Sequence, residues 1–444
     1  MSNVFENKSA VFVSLGCKLN FVENSAVCDL MEKRGAHRAK TGEKADICVI
    51  NTCTVTEVAN HKSRQAIHKI IRENPGAFVV VMGCYAQTSA QILTEMEGVD
   101  LVVGMEQKGK VLDIIEEKLR ETASERLCKA YNTERRNITS FVPSCSRGTR
   151  TRYFLKIQDG CDYFCTYCAI PIARGRSRNG SIDSLVEQAR LAARQGGKEI
   201  VITGVNIGDF GKSTGETFYD LIKALDNVKG IERYRISSIE PNLLTDEIID
   251  YCAQSRAFMP HFHIPLQSGS DNVLKLMHRK YNTALFADKI AHIKRVMPDA
   301  FIGVDVIVGT RGETLDLWEE SYSFAKSIDV AQYHVFCYSE RPGTAALRIP
   351  YVVDEKEKRR RSQQLLELSE EKRKAFYRRF VGTERTVLTE HSHKQAKGFT
   401  DNYIHVEIPG LNKNVDARDN KLVRVKLLDF NPKQDALVGE VVRR

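Results

Sequence analysis

Short apolar runs, each followed by an amphipathic stretch, recur along most of the chain, and no other feature restricts the fold as much. VFVSLG (11–16), ICVIN (47–51), FVVVMG (78–83) and LVVG (101–104) read as buried strands. Helical patterns follow each of them, over about 22–34, 57–72, 87–96 and 111–119. Strands that alternate with helices are joined by crossovers, so they predict an α/β domain with a doubly wound parallel sheet. After a polar stretch the alternation resumes with FLKIQ, EIVITG, YRISS, HFHIP, FIGVDVIVG and QYHVFCYS. That makes about six strand–helix units, too few for a closed eight-unit barrel and enough for a partial one. A charged helix over 354–379 comes next. Short alternating segments such as YIHVEI and KLVRVKLL then predict a small antiparallel β-barrel of OB-like type. The expected organisation is a first domain over 8–121, a linker over 122–146, a barrel domain with the charged helix over 147–380, and a β domain over 381–444.

Hydrophobic residues make up 42% and charged residues 28% of the 444 residues, as in an ordinary globular chain. Sixty-six basic against 57 acidic residues leave a net charge of +9, which suits a polyanionic partner without demanding one. No apolar run approaches the roughly 18 residues of a membrane span. The opening MSNVFENKSA has no secretory pattern. A reducing cytoplasm with no membrane partner is therefore expected. In that setting twelve cysteines read as metal or cluster ligands rather than disulfides.

The cysteines fall into sets. Cys161, Cys165 and Cys168 form C-x3-C-x2-C in GCDYFCTYCAIP, with no fourth Cys or His close by. Structural zinc wants four ligands, whereas a [4Fe–4S] cluster on three thiolates keeps one iron open. Zinc completed by a distant residue is the alternative. Cys17, Cys53 and Cys84 each follow an apolar strand (VFVSLGC, ICVINTC, FVVVMGC). Parallel strands bring such ends to one sheet edge, so these thiols either converge there or are simply buried. Cys28 and Cys48 lie within a helix and a strand and read as packed core. Cys128 and Cys145 fall in the polar stretch, and Cys252 and Cys337 stand alone.

The triplet, with Tyr167 before its last cysteine and a barrel strand before its first, resembles the signature of radical S-adenosylmethionine (AdoMet) enzymes. The resemblance implies that the open iron chelates AdoMet through its amino and carboxylate groups. One electron then splits AdoMet into methionine and a 5′-deoxyadenosyl radical. LGCKLN (15–20), NTCTVT (51–56) and GCYAQ (83–87), followed by the triplet and a small β domain, extend the resemblance over the whole chain to the methylthiotransferase family. That family has an N-terminal methylthiotransferase domain, a radical-AdoMet domain and a TRAM domain, and uses two [4Fe–4S] clusters. By resemblance, Cys17, Cys53 and Cys84 hold the auxiliary cluster, whose open iron handles the transferred sulfur. HIPLQSGSD (263–271), SSIEP (237–241) and YSERPGTAA (338–346) are similar to family segments. VDVIVGTRGET (304–314) departs from the pattern, with Arg311 where the family has Pro. Gly204 and Asn206 in TGVNIG, with Glu240 and Gln267 at strand ends, are the candidate AdoMet contacts; a plain turn or solvated loop is the alternative.

GCKLN is similar to the motif of members acting on N6-threonylcarbamoyladenosine at tRNA position 37. GCQMN marks those acting on isopentenyladenosine, and GCPKN those acting on a ribosomal protein aspartate. Lys18 is then the candidate contact for the threonyl carboxylate. The implied partners are that tRNA, an electron donor and a sulfur source. From Arg147 to Arg178 there are seven basic and two acidic residues, so Arg174, Arg176 and Arg178 are expected to form a phosphate-binding strip. In the β domain, Tyr403, His405, Lys394, Lys397, Arg424 and Lys426 are the expected RNA contacts. The rival readings are the isopentenyl-tRNA or ribosomal-protein enzymes and, from another class, a non-catalytic zinc- or cluster-binding RNA module.

Overall fold

The computed structural model describes residues 3–40, 42–121, 128–392, 395–411, 419–433 and 435–442. The first unit contains β1 (Ser9–Ser14), α1 (Lys18–Lys33), β2 (His37–Arg38), β3 (Ile47–Thr52), α2 (Glu57–Glu73), β4 (Phe78–Gly83), α3 (Cys84–Thr88), α4 (Ala90–Thr94), β5 (Leu101–Val103), α5 (Val111–Arg120) and β6 (Lys129–Tyr131). Its strands form one sheet in the order β2-β1-β3-β4-β5-β6, every pair parallel. Alternate residues of β3 and β4 face opposite layers. Val49, Val80 and Met82 pack with Val27 and Met31 of α1 and Ile115 of α5. Ile50, Val79 and Val81 pack with Ile67 and Ile70 of α2 and Leu93 of α4. Both strands are buried throughout, as a parallel sheet covered on both faces requires. The doubly wound sheet is thus as expected.

The segment 122–146 is more than a linker. β6 extends the first sheet, and β7 (Ser144–Ser146) pairs antiparallel with the first barrel strand. β6 is an edge strand with no buried residue, so its polar composition hid it. Residues 122–127 lie outside the described residues.

The second unit runs through β8 (Tyr153–Lys156), β9 (Gln158–Asp159), α6 (Ile170–Arg174), β10 (Arg178–Asn179), α7 (Ile182–Arg194), β11 (Glu199–Thr203), α8 (Phe218–Asp226), β12 (Arg233–Ile236), α9 (Asp246–Gln254), β13 (His261–Gln267), α10 (Asp271–Leu276), α11 (Thr283–Val296), β14 (Phe301–Val308), α12 (Leu315–Ser327) and β15 (Gln332–Cys337). β8, β11 and β12 pair in parallel, as do β13, β14 and β15. Parallel bridges Tyr234–Phe258 and Ser238–His263 join the two sets into the six-stranded partial barrel. The charged helix α13 (Glu355–Arg378) packs on the last strand: Ser369 Oγ accepts from Tyr333 N (2.9 Å) and donates to Tyr333 O (2.8 Å). Arg311, where the family pattern has Pro, donates to the carbonyls of Leu347 (3.2 Å) and Ile349 (3.0 Å). Among the described residues no helix is long and apolar enough to cross a membrane.

The C-terminal unit, β16 (Glu384–Glu390), β17 (Lys397–Thr400), β18 (His405–Glu407), β19 (Leu422–Asn431) and β20 (Ala436–Val441), closes a barrel in the order β16-β17-β18-β20-β19. It is not wholly antiparallel: β18 and β20 run parallel. Five is an odd number, so a closed ring of strands cannot alternate direction at every step. The small barrel docks on the starts of the partial barrel's strands. Phe301 and Ala331 share a core with Phe376, Val387 and Val406. Arg233 donates to the carbonyls of Thr386 (2.7 Å) and Phe399 (3.1 Å), and Arg235 to those of Thr400 and Asp401 (both 2.7 Å).

Candidate active site

Three adjacent strands of the first sheet end in thiols. Cys17 follows β1, Cys53 follows β3 and Cys84 opens α3 directly after β4. The winding reverses between β1 and β3, where open parallel sheets leave a crevice. Two glycines let the backbone close in. At Gly16 (φ +90) a Cβ would lie 2.6 Å from Cys53 Sγ, and at Gly83 (φ +107) one would lie 2.4 Å from Asn51 Oδ1. Most other helices that follow a strand are capped by a side-chain oxygen, from Thr56, Ser181, Thr217, Thr245 or Thr314. α1 and α3 forgo that cap, worth about 0.5–2 kcal/mol: Cys17 stands at the N-cap of α1, and Gly83 at that of α3 with Cys84 as its first residue. Cys53 and Cys84 are buried and Cys17 is exposed. Burial pushes the Cys53 thiol up to about 11, with Cys84 and Cys17 adding to the rise. Asn20 braces the crevice by donating to Leu15 O (2.8 Å) and Thr52 O (2.9 Å).

The second set lies on one loop after β9. Gly160 (φ +71) opens that loop, and a Cβ there would meet Arg176 O at 2.0 Å. Cys165 is buried, with Cys161 and Cys168 partly so. Burial raises Cys161 and Cys168 to about 12, and each also feels the Cys165 thiol. Arg279 donates to Cys165 Sγ (3.0 Å) and is ion-paired with Glu240. Burial raises Glu240 against the pull of Arg279.

Spacing separates a zinc site from a cluster. Tetrahedral zinc with bonds near 2.3 Å holds its sulfurs less than about 4 Å apart. Among the described residues, the group that brings three donor atoms within 4.8 Å of one another is His263, Asp305 and His334, so neither cysteine set is that tight. Two open sets of three thiols suit a larger cluster. The expected AdoMet contacts also fit a polar guest. Asn206 is buried with neither side-chain polar atom partnered, and Gln267 Oε1 is buried and unpartnered too. Leaving such groups unmatched costs about 1–3 kcal/mol each. Gly204 is packed so closely that a Cβ would meet Ile207 and Gln158 at 2.9 and 3.0 Å. Gln158, absent from the sequence-based candidates, ties the two loops together. Its Oε1 accepts from Val205 N and Asn206 N (both 3.0 Å), and its Nε2 donates to Gly160 O (2.7 Å).

Lys18 heads α1 and is exposed, with its ammonium turned toward charged groups of the partial barrel and the small β domain. Its ammonium lies within electrostatic reach of Tyr403, Arg152, Asp305 and Arg150, and burial lowers its pKa. His334 and His261 feel it in turn. Asp305 Oδ1 lies 2.7 Å from His263 Nε2, and the His263 and His334 rings lie 5.0 Å apart. These three residues sit on neighbouring strands β13, β14 and β15, a convergence that only strand register reveals. Asp305 also acts on Glu240 electrostatically, raising its pKa a little further.

The basic strip is not a phosphate-binding surface as a whole. Arg174 and Arg178 are 1% and 6% exposed and ion-paired to Asp159, which leaves Arg176 on the surface. Of the expected β-domain contacts, Lys397, Arg424 and Lys426 are exposed, although Arg424 pairs with Glu384 (2.8 Å). Tyr403 stacks on Phe399 at 4.7 Å and touches His261 at 4.3 Å, and His405 stacks on Phe399, so these rings serve packing. Lys394 lies outside the described residues.

Residues 9–104 match the uncharacterized protein family UPF0004, and residues 155–325 match the radical SAM superfamily. The threonylcarbamoyladenosine tRNA methylthiotransferase MtaB of Bacillus subtilis is 38% identical over 432 residues, 95% of this chain and 94% of its own. The protein of that name from Aquifex aeolicus is 36% identical, over 93% and 98% of the two chains. A tRNA-2-methylthio-N(6)-dimethylallyladenosine synthase of Clostridium botulinum is 30% identical, over 96% and 92%. In fold, the chain is similar to the radical S-adenosylmethionine methyltransferase TsrM of Kitasatospora setae, with a TM-score of 0.55, 14% identity and 77% of each chain covered. With relatives at this identity along nearly its whole length, and with two separate sets of three thiols built into adjoining domains, the chain belongs to the radical-AdoMet methylthiotransferase family.

Proposed function

We propose that the chain transfers a methylthio group to carbon 2 of N6-threonylcarbamoyladenosine at tRNA position 37, in the cytoplasm, drawing on an electron donor and a sulfur source. The observation that carries this reading is Lys18, which heads α1 directly after Cys17 in the motif GCKLN. Cys161, Cys165 and Cys168 would hold the radical-AdoMet cluster, and Cys17, Cys53 and Cys84 the auxiliary one. When bound, the two [4Fe–4S] clusters and AdoMet supply the radical chemistry needed to replace an unactivated aromatic C–H. The chain's own residues bind, orient and enclose. Asn206, Gln267, Glu240 and the Gly204 turn offer polar groups and room to AdoMet. Lys18 offers a cation to the threonyl carboxylate, a pairing that an apolar isopentenyl group would not repay. The curated relatives at the higher identities carry the threonylcarbamoyl name, in agreement with Lys18 in GCKLN.

The test offers the reduced, reconstituted enzyme both modified tRNAs in competition and reads the nucleosides by mass spectrometry. Product from the threonylcarbamoyl tRNA is expected. Product from the isopentenyl tRNA alone would overturn the substrate, and product on a ribosomal protein would overturn the tRNA reading. Zinc without absorbance near 400 nm would point to a non-catalytic module.

A further inference from the structure

We propose that Arg174 is a positioning residue of the auxiliary cluster: reaching across from the barrel domain, it holds Cys84 and supplies the positive charge against which that cluster is reduced. The inference rests on the assignment of Cys17, Cys53 and Cys84 to a cluster.

Arg174 ends α6, six residues after Cys168, and so belongs by sequence to the radical loop. Its guanidinium points the other way. Nε donates to Cys84 Sγ at 3.2 Å, Nη2 donates to Asn20 Oδ1 at 2.6 Å, and Nη1 meets Asp159 at 2.8 Å and Glu23 at 3.1 Å. Asn20 Oδ1 in turn lies 3.9 Å from Cys17 Sγ. One side chain therefore bridges the neighbourhoods of two auxiliary thiols while anchored to the barrel domain. Five donors in a rigid fork allow this; a lysine has no such reach to several acceptors at once.

The charge count around Arg174 is unbalanced. Glu23 and Asp159 face Arg174, Lys156, Lys108 and Arg178. Lys156 bridges the two carboxylates, at 2.9 Å from Glu23 and 2.8 Å from Asp159. All six side chains are shielded from water, where an uncompensated charge is costly. Four basic groups face these two carboxylates, with Glu106 in electrostatic reach of Arg178, and the positive excess favours an anionic neighbour. A cluster held by three thiolates is such an anion, and it becomes more so on reduction. The radical set is arranged differently: Arg279 donates to Cys165 and is matched one-to-one by Glu240. Hydrogen bonds and fixed charge at the ligand sulfurs are recognised controls of cluster potential.

The test is an EPR-monitored redox titration of the anaerobically reconstituted full-length chain. It is repeated in the Cys161→Ala/Cys165→Ala/Cys168→Ala background, which isolates the auxiliary signal. Arg174→Gln should move the auxiliary midpoint to a more negative potential, because the reduced state loses a donor and a cation. Glu23→Gln removes a carboxylate from the same network and should move it the opposite way. Arg174→Lys keeps the charge without the fork and should fall between Arg174→Gln and the unmodified chain. The radical cluster's midpoint should stay put in all three. If Arg174→Gln assembles no auxiliary cluster, Glu23→Gln and Arg174→Lys still give the sign. An unchanged midpoint, or shifts of the same sign for Arg174→Gln and Glu23→Gln, overturns the inference. Absence of a second cluster from the unmodified chain overturns the ligand assignment instead.

Discussion

The two sets of thiols are built in opposite ways. Cys161, Cys165 and Cys168 ride on a single loop whose shape depends on nearby features, chiefly Gly160 and the hydrogen bonds of Gln158. Cys17, Cys53 and Cys84 come from three strand ends and meet only because the sheet places β1, β3 and β4 side by side. A local loop forms its site as soon as the loop closes. A dispersed site exists only while the whole sheet is in register, and further bracing comes from outside it. Arg174 reaches Cys84, and Arg341 reaches the Cys53 loop at Thr54 Oγ1 and Glu57 (both 2.9 Å). The dispersed site is thus the one that depends on domain docking.

The largest effect should come from removing the thiols themselves. Changing Cys161, Cys165 or Cys168 to Ala should abolish reductive AdoMet cleavage and product alike. Changing Cys17, Cys53 or Cys84 should abolish product and leave some cleavage, with roughly half of the iron retained. Equal loss of cleavage from both sets would erase the distinction. A subtler pair spares the ligands. Gly83→Ala forces a Cβ to within 2.4–2.7 Å of Asn51 and the Thr52 backbone at a positive φ, a strain of about 3 kcal/mol or more. It should cost the auxiliary iron first, whereas Gly160→Ala should cost the radical iron first; iron and EPR analysis of each would show a reversed order if the local-versus-dispersed contrast is mistaken. Next, Lys18→Ala should lower kcat/KM for the threonylcarbamoyl tRNA by about 10- to 150-fold, the value of a charge-assisted hydrogen bond. AdoMet cleavage without tRNA should be unaffected, and an equal loss on isopentenyl tRNA would remove Lys18 as a selector. Smallest, Lys397→Ala and Lys426→Ala should each weaken tRNA binding a few-fold and flatten its salt dependence by a slope of about one. These exposed positions are a cleaner probe than deleting residues 381–444, which would strip cover from Arg233, Arg235 and Phe301.

Much of this was legible before the structure. The parallel sheet and partial barrel followed from strand–helix alternation, and the grouping of Cys161, Cys165 and Cys168 on one loop from their spacing. The convergence of Cys17, Cys53 and Cys84 followed from their places after apolar strands. What failed to show was whatever depended on pairing at a distance. Arg174 and Arg178 looked like a surface strip because a run of arginines does not disclose that Glu23 and Asp159 will bury it. His263, Asp305 and His334 are separated by some forty and thirty residues, and only the registers of β13, β14 and β15 unite them. Gln158 was invisible for a different reason: its role is to satisfy main-chain groups, which leave no mark on the sequence.

The docking of the small barrel has a consequence of its own. Arg233 and Arg235 read carbonyl oxygens of Thr386, Phe399, Thr400 and Asp401, atoms that every amino acid possesses. Those four contacts do not depend on which side chains the small barrel carries there, unlike the neighbouring ones from Asp419 to Thr151 and from Glu390 to Arg152. Residues such as Lys397 and Lys426, exposed and outside these contacts, can change charge without touching the joint, whereas Glu390, Arg385 and Asp419 cannot. Where a joint rests on backbone atoms, the small barrel can change its side chains there while the barrel strands beneath it keep their alignment.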